Sequence, residues 1–307
     1  MVSIRQMTTT DIDVVSQLDV LAFASPSRQT GDHGPVHART PLNVLACLNL
    51  NPSGCFVAET NRPIGYIFSR IWGTIGWIGT FGVHPDYRGQ GIGRSLLTAA
   101  VEHLQGAGCM TVGLETMVDS PYNVGFYGRS AFLLTYPTVL LLKETGPVAM
   151  ASLCSVLSQL EYEEALSAVT QISDVACPGL DCTPEVSNAR EYKWGETLLL
   201  GWPKPWAFAI VRTTPKREGL AWSMADVSAL VLCSKAEESL AEALRAVEAS
   251  VYGQGLEQMV LAVNTADGKA LLQCLNYGFR VHSVWLRMLL DGEDPPQVGR
   301  VLSRWMM

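Results

Sequence analysis

Arg88, Gly89, Gln90, Gly91, Ile92, Gly93 and Arg94 form a turn of alternating glycines flanked by two arginines. Those types at that spacing suit one task, holding an anion. A glycine lets the backbone approach a ligand closely and accept positive φ. The periodic run Leu96, Leu97, Ala100, Val101 and Leu104 marks a helix immediately after the turn. The first N–H groups of that helix have no intrahelical partner and lie at the positive end of its dipole. Such a terminus accepts phosphate or pyrophosphate, and Arg88 and Arg94 add formal charge. Two common phosphate loops are excluded by spacing. The glycines read G-x-G-x-G, not G-x-G-x-x-G, and no Gly-Lys-Ser/Thr follows.

The stretch resembles the acetyl-CoA loop of the GNAT N-acetyltransferase superfamily. Arg88, Gly91 and Gly93 fit its Arg/Gln-x-x-Gly-x-Gly/Ala pattern, and Val83, Pro85 and Tyr87 fit the strand end before it. The resemblance implies acetyl-CoA as co-substrate, with pyrophosphate on residues 88–94 and pantetheine along the backbone of Phe81, Gly82 and Val83. It adds Glu115, at the end of the next strand, as general base. Tyr127, twelve residues on, is the acid that protonates the departing thiolate. The family's Asn between them is Ser120 here, with Asn123 a turn later, and both are expected at the cofactor. His84 is an alternative base, although beside Pro85 it fits the turn. An amine must lose a proton before it attacks a thioester, so a carboxylate is needed. Strand N–H groups at Phe81–Val83 can stabilise the oxyanion.

Elements in the order βααβββαβαβ position these groups. Val2–Met7 reads as an edge strand, followed by a helix on Ile12, Val15, Leu18 and Leu21. Residues 25–39 read as a loop and 42–50 as a short helix. Strands follow at 55–59, 64–71 and 77–83, then the glycine turn and its helix, ended by Gly106 and Gly108. A strand at 110–115, a helix from Pro121 to Arg129 and strands within 131–143 complete the unit.

The chain has 307 residues, 48% hydrophobic and 17% charged, which suggests two domains. Net charge is −7 and no basic run stands out, so a nucleic-acid surface is not expected. The longest apolar stretch is broken by Pro203, Lys204 and Pro205, and no membrane span is expected. The start lacks signal-peptide features, and a reduced cytoplasm is the expected location. Eight cysteines and five histidines show no metal spacing, so no metal is expected. Cys177 and Cys182 read as loop or core thiols, with a redox pair left open.

Shifted by 147 residues, the first half meets the second without a gap. Leu114 meets Leu261, and Ala131-Phe132 meets Gly278-Phe279. The chemistry is lost: Arg88–Arg94 meets Lys235–Ala241 without glycine, Glu115 meets Ala262, and Tyr127 meets Cys274. Glu237 and Glu238 would repel pyrophosphate. Residues 147–172 read as helical, 177–184 as a loop, and 301–307 as a short helix or a fraying end. The fold expected is therefore α+β, two tandem GNAT-like mixed-sheet domains flanked by helices. Residues 1–145 are the acetyl-CoA-binding catalytic unit and 146–307 a degenerate copy. The expected function is N-acetyl transfer to a primary amine of a small molecule or peptide. The alternative is a non-catalytic acyl-CoA sensor. A homodimer is allowed by either.

Overall fold

The computed structural model describes residues 2–23, 36–148, 154–218, 223–303 and 305. The first half runs β1 (Ser3–Gln6), α1 (Ile12–Phe23), α2 (Pro41–Leu50), β2 (Phe56–Glu59), β3 (Pro63–Trp72), β4 (Ile75–Val83), α3 (Ile92–Gly106), β5 (Thr111–Met117), α4 (Pro121–Gly128), β6 (Phe132–Leu134) and β7 (Thr138–Glu144). The second runs β8 (Cys154–Val156), α5 (Tyr162–Ala176), α6 (Thr183–Glu191), β9 (Gly195–Leu200), β10 (Ala207–Arg212), β11 (Met224–Leu232), α7 (Glu237–Gly253), β12 (Gln258–Asn264), α8 (Gly268–Asn276), β13 (Arg280–Leu290) and β14 (Arg300–Ser303). The expected mixed α+β fold is present. Most of the expected loop 25–39 lies outside the described residues.

Helix boundaries follow local chemistry. Thr40 caps α2 by accepting from Asn43 N, with Pro41 in the first turn. On α3, Ile92, Leu96, Leu97, Ala100 and Leu104 are buried, the face the 3.6-residue period predicts. That face packs on Ile64, Ile67, Ile78, Val112 and Leu114 of the sheet. The opposite face of β2 and β3 is covered by α1 and α2 through Val15, Leu18, Val44 and Leu48.

All the strands join one sheet, ordered β1-β2-β3-β4-β5-β13-β7-β12-β11-β10-β9-β8. The centre of that order exchanges strands between the halves. β13, from the second half, lies antiparallel between β5 and β7 of the first. β7 in turn pairs along its length with β12 of the second half. A shared core seals the junction, with Trp72, Ile75 and Trp77 packed among Val169, Ile172, Phe208, Ile210 and Trp305. Polar links add to it: Thr40 N–H donates to Lys216 O at 3.1 Å, and Glu218 N–H to Ala38 O at 2.9 Å.

The sequence copy holds at one offset over β5 and α4, whose counterparts β12 and α8 start 147 residues later. It does not hold without a gap. Strand register aligns Ile75 with Met224, an offset of 149, because each pairs with the first residue of the following parallel strand. The difference falls in the turn. Residues 84–91 separate β4 from α3, whereas only 233–236 separate β11 from α7. The second turn has no glycine and no residue at positive φ, and its helix starts sooner after the strand.

Three other expectations are corrected. The 147–172 segment is not one helix: Cys154–Val156 is a strand paired with β9, and α5 begins only at Tyr162. The loop at 177–184 ends two residues early, because Pro184 sits in the first turn of α6. Of the segment 301–307, residues 301–303 belong to the strand β14, and 304, 306 and 307 lie outside the described residues. Cys177 and Cys182 are both buried and unbridged.

Candidate active site

The glycine turn is built as the spacing requires. Pro85–Tyr87 makes a single 3-10 turn, and His84 Nδ1 accepts from Asp86 N–H at 3.3 Å, so His84 belongs to the turn. Gly89 and Gly91 have φ of +77° and +82°. A Cβ at either would meet nothing within 4 Å, so the backbone conformation alone demands glycine and leaves an open cradle. Gly91 caps α3 without a side-chain bond. The first helical bond runs from Ser95 N–H to Gly91 O at 3.1 Å, which leaves the N–H groups of Ile92, Gly93 and Arg94 for a ligand. The Ile92 side chain is buried, so only its backbone serves. Gln90 and Arg94 are exposed. Arg88 instead donates to Val83 O at 3.3 Å and Ala22 O at 2.6 Å, tying the turn to β4 and α1.

β4 and β5 part below this cradle. Their parallel pairing stops at Ile78 and Leu114, although β4 continues to Val83 and β5 to Met117. A bulge helps open the gap. Ile67 pairs Phe81 and Ser69 pairs Ile78, so β4 carries an extra residue around Gly79 and Thr80. Phe81 thereby joins the α3 face, 3.7 Å from where a Gly93 Cβ would sit. Gly82 is needed for a different reason, since a Cβ there would lie 2.5 Å from Ala22 of α1.

Tyr127 closes one side of the gap. Its ring centroid is 6.1 Å from Phe81, 5.2 Å from Phe126 and 6.2 Å from Phe132. Its hydroxyl has no partner among the described residues, and burial pushes the phenol above its ordinary value. Ser120 accepts from Asn123 N–H at 3.4 Å, and Asn123 Nδ2 donates to Thr116 Oγ1 at 3.0 Å. These two residues fix α4 to β5.

Glu115 alternates with Leu114 and Thr116, and so faces the other side of the sheet. Its side chain is 1% exposed. Oε1 accepts from Thr138 Oγ1 at 2.5 Å and from Arg287 Nη2 at 3.2 Å. Oε2 is buried without a partner. The cradle, Phe81 and Tyr127 therefore gather on one face, and Glu115 lies on the opposite face of β5, held by side chains of β13 and β7.

Sequence reasoning missed the polar groups on that second face. Arg287 comes from the far half, and no local signal marks it. Asp19, fully buried, accepts from Arg39 Nε at 3.0 Å, Arg217 Nη1 at 2.7 Å and Tyr66 OH at 2.5 Å. Burial opposes ionisation of Asp19, but Arg39 and Arg217 outweigh it and hold the carboxyl below its usual range. Arg39 Nη2 also donates to Thr80 Oγ1 at 2.7 Å, at the bulge. Asp19 inside the otherwise apolar run of α1 was the available signal, whereas Arg39 and Arg217 lie outside the helices.

In the second half the corresponding gap is filled. β11 and β12 also stop pairing after Val227 and Leu261. β14 then pairs β11 from Ala229–Ser303 to Leu232–Arg300. Arg300, 1% exposed, donates to Ala236 O at 3.0 Å in the shortened turn and to Asp267 Oδ2 at 3.0 Å at the α8 cap. The chain's own strand thus lies where the first half is open. We expect a titration to find one acetyl-CoA site per chain; two sites would contradict this occlusion.

The profile of the acetyltransferase (GNAT) family matches residues 23–132, spanning α2 to β6. An acetyltransferase of Yersinia pestis (strain Pestoides F) is 32% identical over 95 residues, which cover 31% of this chain and 67% of that protein. This chain belongs to the GNAT acetyltransferase family. A mycothiol acetyltransferase of Streptomyces bingchenggensis is 35% identical over 94 residues, and the match spans only 30% of either GNAT protein. The GNAT fold extends to the whole chain. A putative acetyltransferase from Pyrococcus horikoshii superposes with a TM-score of 0.72 at 17% identity, covering 99% of this chain and 95% of that one. A tandem GNAT protein of the clavulanic acid pathway gives 0.60 at 14% identity, covering 94% and 98%. Among the described residues, no helix is long and apolar enough to cross a membrane, and no group of three or more His, Cys, Asp or Glu gathers for a metal ion.

Proposed function

We propose that residues 1–145 form an acetyl-CoA-dependent N-acetyltransferase unit and that 146–307 form a degenerate partner unit. The acceptor is a primary amine of a small molecule or peptide, attacked directly without a covalent enzyme intermediate. The observation that carries the reading is the open cradle leading into the β4–β5 gap, which Tyr127 flanks on the α3 face. Acetyl-CoA would be held by the N–H groups of residues 89–94, by Arg94, with Arg88 adding charge from behind the turn it ties down, and by the backbone of Phe81–Val83, and would supply the acyl thioester. Ser120 and Asn123 act by holding α4, and so Tyr127, against β5. Glu115 Oε2, the carboxylate oxygen left without a partner, takes the amine proton directly or through one water. Tyr127 donates a proton to the leaving sulfur.

The raised Tyr127 phenol keeps its proton through the working range. Its donating form is lost only above its raised value, so kcat should show no alkaline fall from this group up to about pH 10, the ordinary tyrosine value. A pH–rate profile of the wild type beside Tyr127→Phe checks this. A fall near pH 8 that Tyr127→Phe removes would discard the assignment.

One observation favours a second reading, an acyl-CoA-binding sensor: the Glu115 side chain is sealed at 1% exposure. Thiol release from acetyl-CoA separates the two readings. The panel would hold spermidine, an aminoglycoside, tryptamine and a peptide with a free N-terminus. Release above the buffer rate supports the transferase, and tight acetyl-CoA binding with no release supports the sensor. Location in the cytoplasm and a homodimer remain part of the proposal and rest on the sequence alone.

A further inference from the structure

The strand exchange brings a residue of the second half into the first-half site. β13 lies between β5 and β7, and its Arg287 is the register partner of Glu115. The guanidinium is 3% exposed. Nη2 donates to Glu115 Oε1 at 3.2 Å and to Thr138 Oγ1 at 3.3 Å. Nη1 donates to Asp294 Oδ1 at 3.1 Å, and Asp294 is 26% exposed at the outer edge. Its Cζ lies 5.3 Å from the Trp77 ring centroid. Thr138, on β7, donates to the same Glu115 oxygen at 2.5 Å.

We infer that Arg287, carried by the second half, is a positioning residue for the first-half site: it fixes the Glu115 carboxylate through Oε1 and leaves Oε2 as its one oxygen without a protein partner. The inference rests on the reading of Glu115 as the base.

The physical argument has three steps. A glutamate carboxylate can turn about its side-chain bonds and offer either oxygen, and Glu115 lies within β5, two residues before its end. Two donors on Oε1, one of them charged, remove that freedom, because charge-assisted bonds are roughly twice as strong as neutral ones. The clamp is itself held from three sides, by Asp294 on Nη1, by Thr138 on Nη2 and by the face of Trp77. A planar fork can make all three contacts at once, whereas a lysine ammonium is a point charge that cannot. Removing Arg287 would also leave a buried carboxylate without its counter-charge, which the protein relieves by moving the group. The second half has lost the cradle, but its last long strand completes the first half's chemistry. This gives the degenerate unit a role.

The test joins crystallography to a double-mutant cycle on the full chain. In a crystal structure of Arg287→Met, Glu115 should leave Thr138 or rotate its carboxylate from the place it holds beside Arg287. An unchanged Glu115 conformation would overturn the inference, whether or not an amine has been found. If Arg287→Met does not fold, Arg287→Lys keeps the charge and loses the fork, and the same comparison applies. The kinetic arm uses whichever panel amine releases thiol in the wild type. Arg287→Met should lower kcat about 10- to 100-fold with KM for acetyl-CoA unchanged. In a Glu115→Gln background the same substitution should change kcat less than about twofold, because its effect passes through the carboxylate. Equal losses in both backgrounds would mean a structural role only and overturn the inference alone. If Glu115→Gln keeps full turnover, the reading of Glu115 as base fails first, and the inference falls with it.

Discussion

Gly91→Glu should abolish acetyl-CoA binding in a calorimetric titration while the protein keeps its fold. The position caps α3 at φ +82°, and its side-chain direction is empty to 4 Å. Two effects add. A side chain strains a left-handed residue by about 1–2 kcal/mol. The carboxylate then faces the phosphates that the cradle is meant to hold. At an effective dielectric of about 20, like charges about 4 Å apart repel by about 4 kcal/mol, which is on the order of a 10³-fold loss. Gly91→Ala tests the strain alone and should lose about 10-fold. The substitution imports the acidic start of α7, Glu237 and Glu238, where the second half carries no glycine. Binding that survives Gly91→Glu would move the cofactor away from the turn.

Glu115→Gln should lower kcat by about 10²- to 10⁴-fold, the usual range for a lost general base. Binding of acetyl-CoA should be unchanged. The amide retains the shape and still accepts from Thr138 Oγ1, so packing is preserved. It cannot take a proton. Tyr127→Phe should give a smaller loss, since a thiolate is a tolerable leaving group, and it removes no hydrogen bond within the described residues. The comparison of kcat with the acetyl-CoA dissociation constant separates chemistry from binding. A sensor would show neither change. A full loss of binding in Glu115→Gln would mean that the buried ion pair with Arg287 holds the gap together, because breaking a buried pair is strongly destabilising.

The turn at 88–94 was legible in the sequence because its chemistry is local. Glycine at 89 and 91 is required by φ, and helix N–H groups point at a ligand whatever packs behind them. The strands and helices of the first half were legible for a related reason: α3 and the strands beneath it bury the faces that their periods mark. The second copy could be recognised because its core periods survive at β12 and α8 even though its turn has changed.

Other features were settled only in three dimensions. Nothing near Glu115 in the chain announces Arg287, 172 residues away. Their meeting depends on β13 entering the first half's sheet, and a strand's choice of neighbour is a long-range pairing. The fate of the terminal segment was hidden likewise. Arg300 reads as a surface residue by type, yet it is 1% exposed because Asp267 and Ala236 O await it in the second gap. The sequence by itself determined that one half keeps a glycine turn at a helix start and the other does not, since the φ requirement and the acidic charges are properties of single residues. Tertiary structure decided that β13 of the second half pairs inside the first and sets Arg287 against Glu115, because strand exchange and buried ion pairs exist only between segments that folding brings together.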